Sequence, residues 1–107
     1  MNATEFNILL TNRLAATEAV LGSKAGEYAT DNDRLHNFKL AAELQRCTPE
    51  VALLGMLTKH LVSVVDMAQA TNPALSYPHA YIDEKIGDSI NYLILLEAIL
   101  KEYANGN

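Results

Sequence analysis

DEKIGDSINYLILLEAILKEY, residues Asp83 to Tyr103, spaces its apolar side chains with the period of an α-helix. Counting from Ile82, the stripe runs through Ile86, Ile90, Leu93, Leu96, Ile99 and Leu100. On a wheel of about 100° per residue, Asp88 falls on the flank of this apolar arc, close in angle to Leu95 and Ile99 and beside Tyr92. Glu84 lies one turn earlier and Asn91 borders the same edge. A carboxylate set against an apolar surface is costly unless a metal, a cation or several donors compensate it. Asp88 is therefore the first candidate for a functional residue.

Working backwards along the chain, Thr71–Ala80 contains Asn72-Pro73 and Tyr77-Pro78, and two prolines predict a break between helices. Before it, Thr48-Pro49-Glu50 reads as a helix start, with Thr48 as cap, Pro49 in the first position and Glu50 facing the positive end of the dipole. The helix that follows, to about Ala70, is apolar nearly all round and needs cover on several sides. Its polar strip is Lys59, Ser63 and Asp66. That strip faces either solvent or a polar cavity shared with Asp88 and Glu84. His60 lies on the apolar side, as a core or interface histidine in one reading and a ligand in the other.

RLHNFKLAAELQR, residues 34–46, predicts a further helix, with Leu35, Phe38, Ala41, Ala42 and Gln45 on one side and His36 on the surface. The polar run from Lys24 to Asp33 is either a solvated connector whose Asp33 caps that helix, or a loop over a site. Residues 3–22 form the first helix, with an irregular apolar stripe of Phe6, Leu9, Leu10, Leu14, Val20 and Leu21, stopped by Gly22 and Ser23.

Composition agrees. The chain has 107 residues, half of them apolar, and only eight are Gly or Pro. One domain over 1–107 is expected, an all-α antiparallel four-helix bundle with short connections. Two very apolar helices in so small a bundle predict a homo-oligomer, with the third and fourth helices at its interface. A net charge of −5 gives no general attraction for nucleic acid, although Arg34, His36, Lys39 and Arg46 can meet a phosphate locally. A single cysteine, Cys47, in a helix–helix turn excludes an intramolecular disulfide and fits a reducing, cytoplasmic setting. MNATEFN shows no signal-peptide pattern, and the unbroken apolar runs are too short to predict a membrane span.

Glu84 and Asp88, at i and i+4, can share a divalent cation. Oxygen ligands suit Mg²⁺, which usually brings a phosphate with it. Lys24, Arg34 or Lys59 would hold that phosphate, and Glu27 or Asp66 would complete the metal shell. The alternative is a buried salt bridge between Asp88 and Lys59 with no ligand.

Three segments, GEYATDNDRLHNFKLAAEL, TPEVALLGMLTKHLVSVVDM and DEKIGDSINYLILLEAILKE, resemble small phage and prophage proteins of the nucleotide modification associated domain group. More distantly they resemble all-α NTP pyrophosphatases of the MazG and dUTPase type. The similarity spans residues 24–103 and is carried by Lys24, Glu27-Tyr28, Arg34, Asn37-Phe38, Lys59-His60, Asp66, Glu84, Asp88 and Asn91-Tyr92. It implies a MazG-like helical bundle, oligomerisation and a nucleotide or other phosphate-bearing ligand. Lys24, Glu27, Tyr28, Arg34, Asn37, Lys59, His60 and Asn91 would bind that ligand, and Glu84, Asp88 and Asp66 would hold Mg²⁺. The pyrophosphatases carry ExxE on one helix and ExxD on another. This sequence has no ExxE and reads Glu84-x-x-x-Asp88, so no catalytic residue is assigned. Three functions follow: a phage nucleotide-binding protein that acts as a Mg²⁺-dependent hydrolase if catalysis is retained, a non-enzymatic anti-defence protein, or a structural oligomer with no ligand. The second would bind a host defence protein or sequester its nucleotide messenger.

Overall fold

The computed structural model describes residues 1–23, 33–70 and 77–105. Four helices form and pack against one another: α1 (Ala3–Glu18), α2 (His36–Gln45), α3 (Pro49–Gln69) and α4 (His79–Asn105). No strand occurs among the described residues. The boundaries follow local chemistry. Asn2 opens α1 with a capping box: its Oδ1 accepts from the Glu5 N–H at 2.8 Å, and Glu5 Oε2 accepts from the Asn2 N–H at 3.2 Å. The helix then widens into a π turn over Ala19–Ser23. Asp33 does not cap α2 as expected: its Oδ1 accepts from the Leu35 N–H at 3.0 Å in the turn before the helix, Leu35 is the N-cap residue without a side-chain cap, and α2 begins two residues later than the apolar pattern suggests. Arg46, in the left-handed region at φ 55°, ends it. Cys47 sits half-buried in the turn that follows.

One expectation about α3 fails. Pro49 occupies its first turn, but the Thr48 side chain makes no capping hydrogen bond. The Glu50 carboxyl at the start of α3 is held below its ordinary range first by its own backbone N–H, and then by Thr48 and by Tyr103 of α4.

The core is Leu35, Phe38, Leu53, Leu57 and Ile99, with Met56, Tyr92, Leu95 and Leu96 packed around it. It belongs to α2, α3 and α4. Glu50 meets Tyr103 at one end of the α3–α4 contact and His60 meets Asp88 and Tyr92 further along, so these two helices run antiparallel. Lys39 pins α2 to α4: its Nζ lies 2.8 Å from Asp33 and 2.7 Å from Glu102, and the hydrogen bonds to these two carboxylates push its pKa up to about 12. α3 is long and apolar enough, by length and composition, to cross a membrane, which its short unbroken runs do not signal. One side of it forms the centre of the core.

α1 contributes nothing buried. Every residue from Met1 to Asn12 is exposed, and Phe6, Leu9, Leu10, Leu14 and Val20 stay open to solvent. The apolar stripe expected to join the bundle therefore does not do so within this chain. Two arginines hold α1 instead. Arg34 donates to the Leu21 carbonyl at 2.8 Å. Arg13 donates to the Asp83 carbonyl at 3.1 Å and stands 3.5 Å from the Asp83 carboxylate. The Arg13 guanidinium lies over Gly87, where an added Cβ would come within 2.4 Å of Nη1. Gly87→Ala should gain about 1 kcal/mol of helix propensity and lose the Arg13 contact of similar size. Global stability is then expected to change little, while amide exchange over residues 13–21 accelerates. Unchanged protection there would show that Arg13 does not anchor α1.

Candidate functional site

Asp88 projects from α4 and is 42% exposed, so it is neither buried nor in open solvent. Its neighbour from another helix is His60 of α3, with Nδ1 3.6 Å from Asp88 Oδ2. That separation is too long for a hydrogen bond and becomes an ion pair only when the imidazole is protonated. The His60 ring leans on Tyr92, centroids 5.4 Å apart, and Tyr92 meets the edge of Phe38 at 6.5 Å. Burial, and then the charge of Asp88, push the Tyr92 hydroxyl above its ordinary range. Two polar atoms here are buried without a hydrogen-bond partner, His60 Nδ1 and Asn91 Oδ1. Each such atom costs about 1–3 kcal/mol unless a ligand or water supplies the missing bond. His60, Asp88 and Tyr92 thus meet where α3 and α4 pack, a notch with the carboxylate at its solvent side, and Asn91 follows Asp88 by about one turn of α4.

The sequence-derived residues separate into three groups. His60, Asp88 and Tyr92 come together, with Asn91 one turn after Asp88. Lys59 and Asp66 do not join them. Both are exposed and lie about 100–120° round α3 from His60, so the polar cavity expected between Asp66, Lys59 and Asp88 does not form, and neither does the Lys59–Asp88 salt bridge. Ser63 also leaves that strip and turns half-buried. Glu84 is exposed and stands 3.8 Å from its neighbour Lys85. Glu84, Asp88 and Asp66 do not gather as a metal-binding set of three, nor does any such cluster occur among the described residues. Arg34 is engaged with the Leu21 and Gly22 carbonyls, Asn37 is exposed on α2, and His36 is on the surface as expected. Lys24, Glu27 and Tyr28 lie outside the described residues.

The pairing of His60 with Asp88 was missed, although its signal was present. Both are polar groups on apolar arcs of helices that turn out to be antiparallel neighbours. The donor set suits Mg²⁺ only in part. The Asp88 carboxylate and the Asn91 carbonyl are oxygen ligands, but two oxygens make no protein cage, and such an ion would rely on water and phosphate for its other positions. A separate groove of about 470 Å³ between the start of α2 and α4, with Arg34, Lys101 and Glu102 on its walls, shares no residue with the notch. No family model, no curated protein and no solved structure matches the chain.

Proposed function

We propose that this chain is a nucleotide-binding protein that takes its ligand at the His60–Asp88–Tyr92–Asn91 notch. The observation that carries this reading is the pair of buried, unpartnered atoms, His60 Nδ1 and Asn91 Oδ1, beside a half-exposed carboxylate. The imidazole meets a hydroxyl or phosphate oxygen of the ligand, the amide oxygen accepts from a base or ribose donor, and the Tyr92 ring stacks. Asp88 holds the Mg²⁺ that accompanies a phosphate and offsets its charge. The resemblance of residues 24–103 to phage nucleotide-modification proteins supports the ligand class. A single carboxylate at the notch supports binding more than multi-metal hydrolysis.

The test is calorimetry and thermal shift of the full chain against NTPs, dNTPs and cyclic oligonucleotides, with and without Mg²⁺. One class is expected to raise the melting temperature in a Mg²⁺-dependent way, by a stabilisation of about 2.7 kcal/mol at a hundredfold excess over Kd. Asp88→Asn removes the charge that would meet Mg²⁺ and His60→Ala removes the imidazole, so each should weaken that binding about tenfold or more. Asp66→Ala should leave it unchanged. Product formation in the same samples would establish hydrolysis. No shift with any ligand ends the proposal.

A second reading is favoured by a different observation, the exposed apolar side chains of α1, among them Phe6, Leu9, Leu10 and Leu14. An anti-defence protein that binds a host protein would use such a face. Capture of one partner by wild type and equally by an Asp88→Ala, Glu84→Ala double variant would select it.

A further inference from the structure

α3 has two apolar sides and this chain covers only one. On the other, Val51, Leu54, Leu61, Val62 and Val65 are between 40% and 54% exposed. At about 100° per residue these five positions fall within about 100° of arc and form one stripe. Gly55 lies at the stripe's edge, and a Cβ there would meet nothing within 4 Å. A mid-helix glycine with no use inside the chain lets another backbone approach. The molecule as a whole also exposes too much. Its accessible surface is 7765 Å², where a folded monomer of 11.7 kDa has roughly 5,900 Å². α1, exposed along its first half, accounts for part of this excess, and the uncovered stripe of α3 for another part. The radius of gyration is 16.3 Å, against roughly 13 Å for a compact chain of this length.

From this we infer that the occupant is a second copy of the chain, whose α3 crosses this one antiparallel at the level of Val62. The charges select that arrangement. Lys59 and Asp66 are seven residues apart on the same flank of the stripe, both exposed, and neither makes an ion pair among the described residues. In an antiparallel two-fold crossing the same flanks face each other, so Lys59 of each copy meets Asp66 of the other. Two salt bridges then close one rim of a self-complementary apolar face. A parallel crossing would set each flank against the opposite one and leave both charges unmatched. The assembly does not depend on the nucleotide ligand, because the notch lies on the other side of α3.

Sedimentation equilibrium of the full chain, without ligand, from low to high micromolar concentration tests this. Wild type is expected at twice 11.7 kDa. Lys59→Glu and Asp66→Lys each set two pairs of like charges across the interface and should raise the dimer Kd about tenfold. The double variant Lys59→Glu, Asp66→Lys exchanges the charges and should return it close to wild type. Leu44→Lys, on the outer side of α2, should leave it unchanged. A single-chain mass for wild type at every concentration overturns the inference and leaves the face to a different protein. Single variants that match wild type, or a double variant no better than the singles, overturn the antiparallel crossing.

Discussion

Leu53→Ala is expected to cost about 3 kcal/mol of stability and to lower the melting temperature by roughly 12–20 °C. Leu53 is fully buried in α3, the helix that packs against both α2 and α4. It sits in one cluster with Leu35 and Phe38 of the α2 region, Leu57 of its own helix and Ile99 of α4. Truncation removes the transfer energy of the lost carbons and leaves a cavity, because neighbours held on three helices cannot all move in. A domain of this size has about 5–15 kcal/mol in total, so the loss is a large share. Urea titration at fixed chain concentration measures it, since self-association would add a concentration term. Leu44→Ala, at a leucine 78% exposed, should change stability by no more than about 0.5 kcal/mol. A loss under about 1 kcal/mol at Leu53 would place the core elsewhere.

Phe38→Ala should be nearly as severe, at about 3–4 kcal/mol, and should act locally as well. α2 has ten residues and makes no side-chain cap at its own N-cap residue, Leu35. A helix that short does not persist without packing. Phe38 and Leu35 are its large buried side chains, and the Phe38 ring meets the edge of Tyr92 at 6.5 Å. Removing the ring should loosen α2 and hydrate Tyr92. The Tyr92 hydroxyl, held high chiefly by burial, should then titrate closer to its ordinary value. The Tyr92 ring signals followed by NMR against pH read this apart from the chain's four other tyrosines. If α2 keeps its helicity and Tyr92 titrates as before, Lys39 and its two carboxylates hold the helix rather than Phe38.

Both variants probe the same division of labour. α2, α3 and α4 make the core and the notch, while α1 hangs on Arg13 and Arg34. The candidate site inherits its geometry from the α3–α4 pair, so core variants should weaken ligand binding indirectly. The Asp88 and His60 variants should weaken it without a comparable loss of stability.

The four helices and most of their ends were legible in the sequence, because they depend on neighbours along the chain. A 3.6-residue period, Pro49 in a first turn, Asp33 ahead of α2 and two prolines before α4 act over a few residues each. The position of Asp88 at the edge of the apolar arc of α4 was legible for the same reason, but its exposure was not: the carboxylate stays 42% exposed. What only the tertiary structure decided was which side of α3 turns inward. A helix apolar nearly all round has no preferred face, so its orientation is set by the shapes of α2 and α4. That orientation carried His60 to Asp88 and turned Lys59 and Asp66 away from it. It also left a second apolar stripe uncovered, which no pattern along the chain could distinguish from the first.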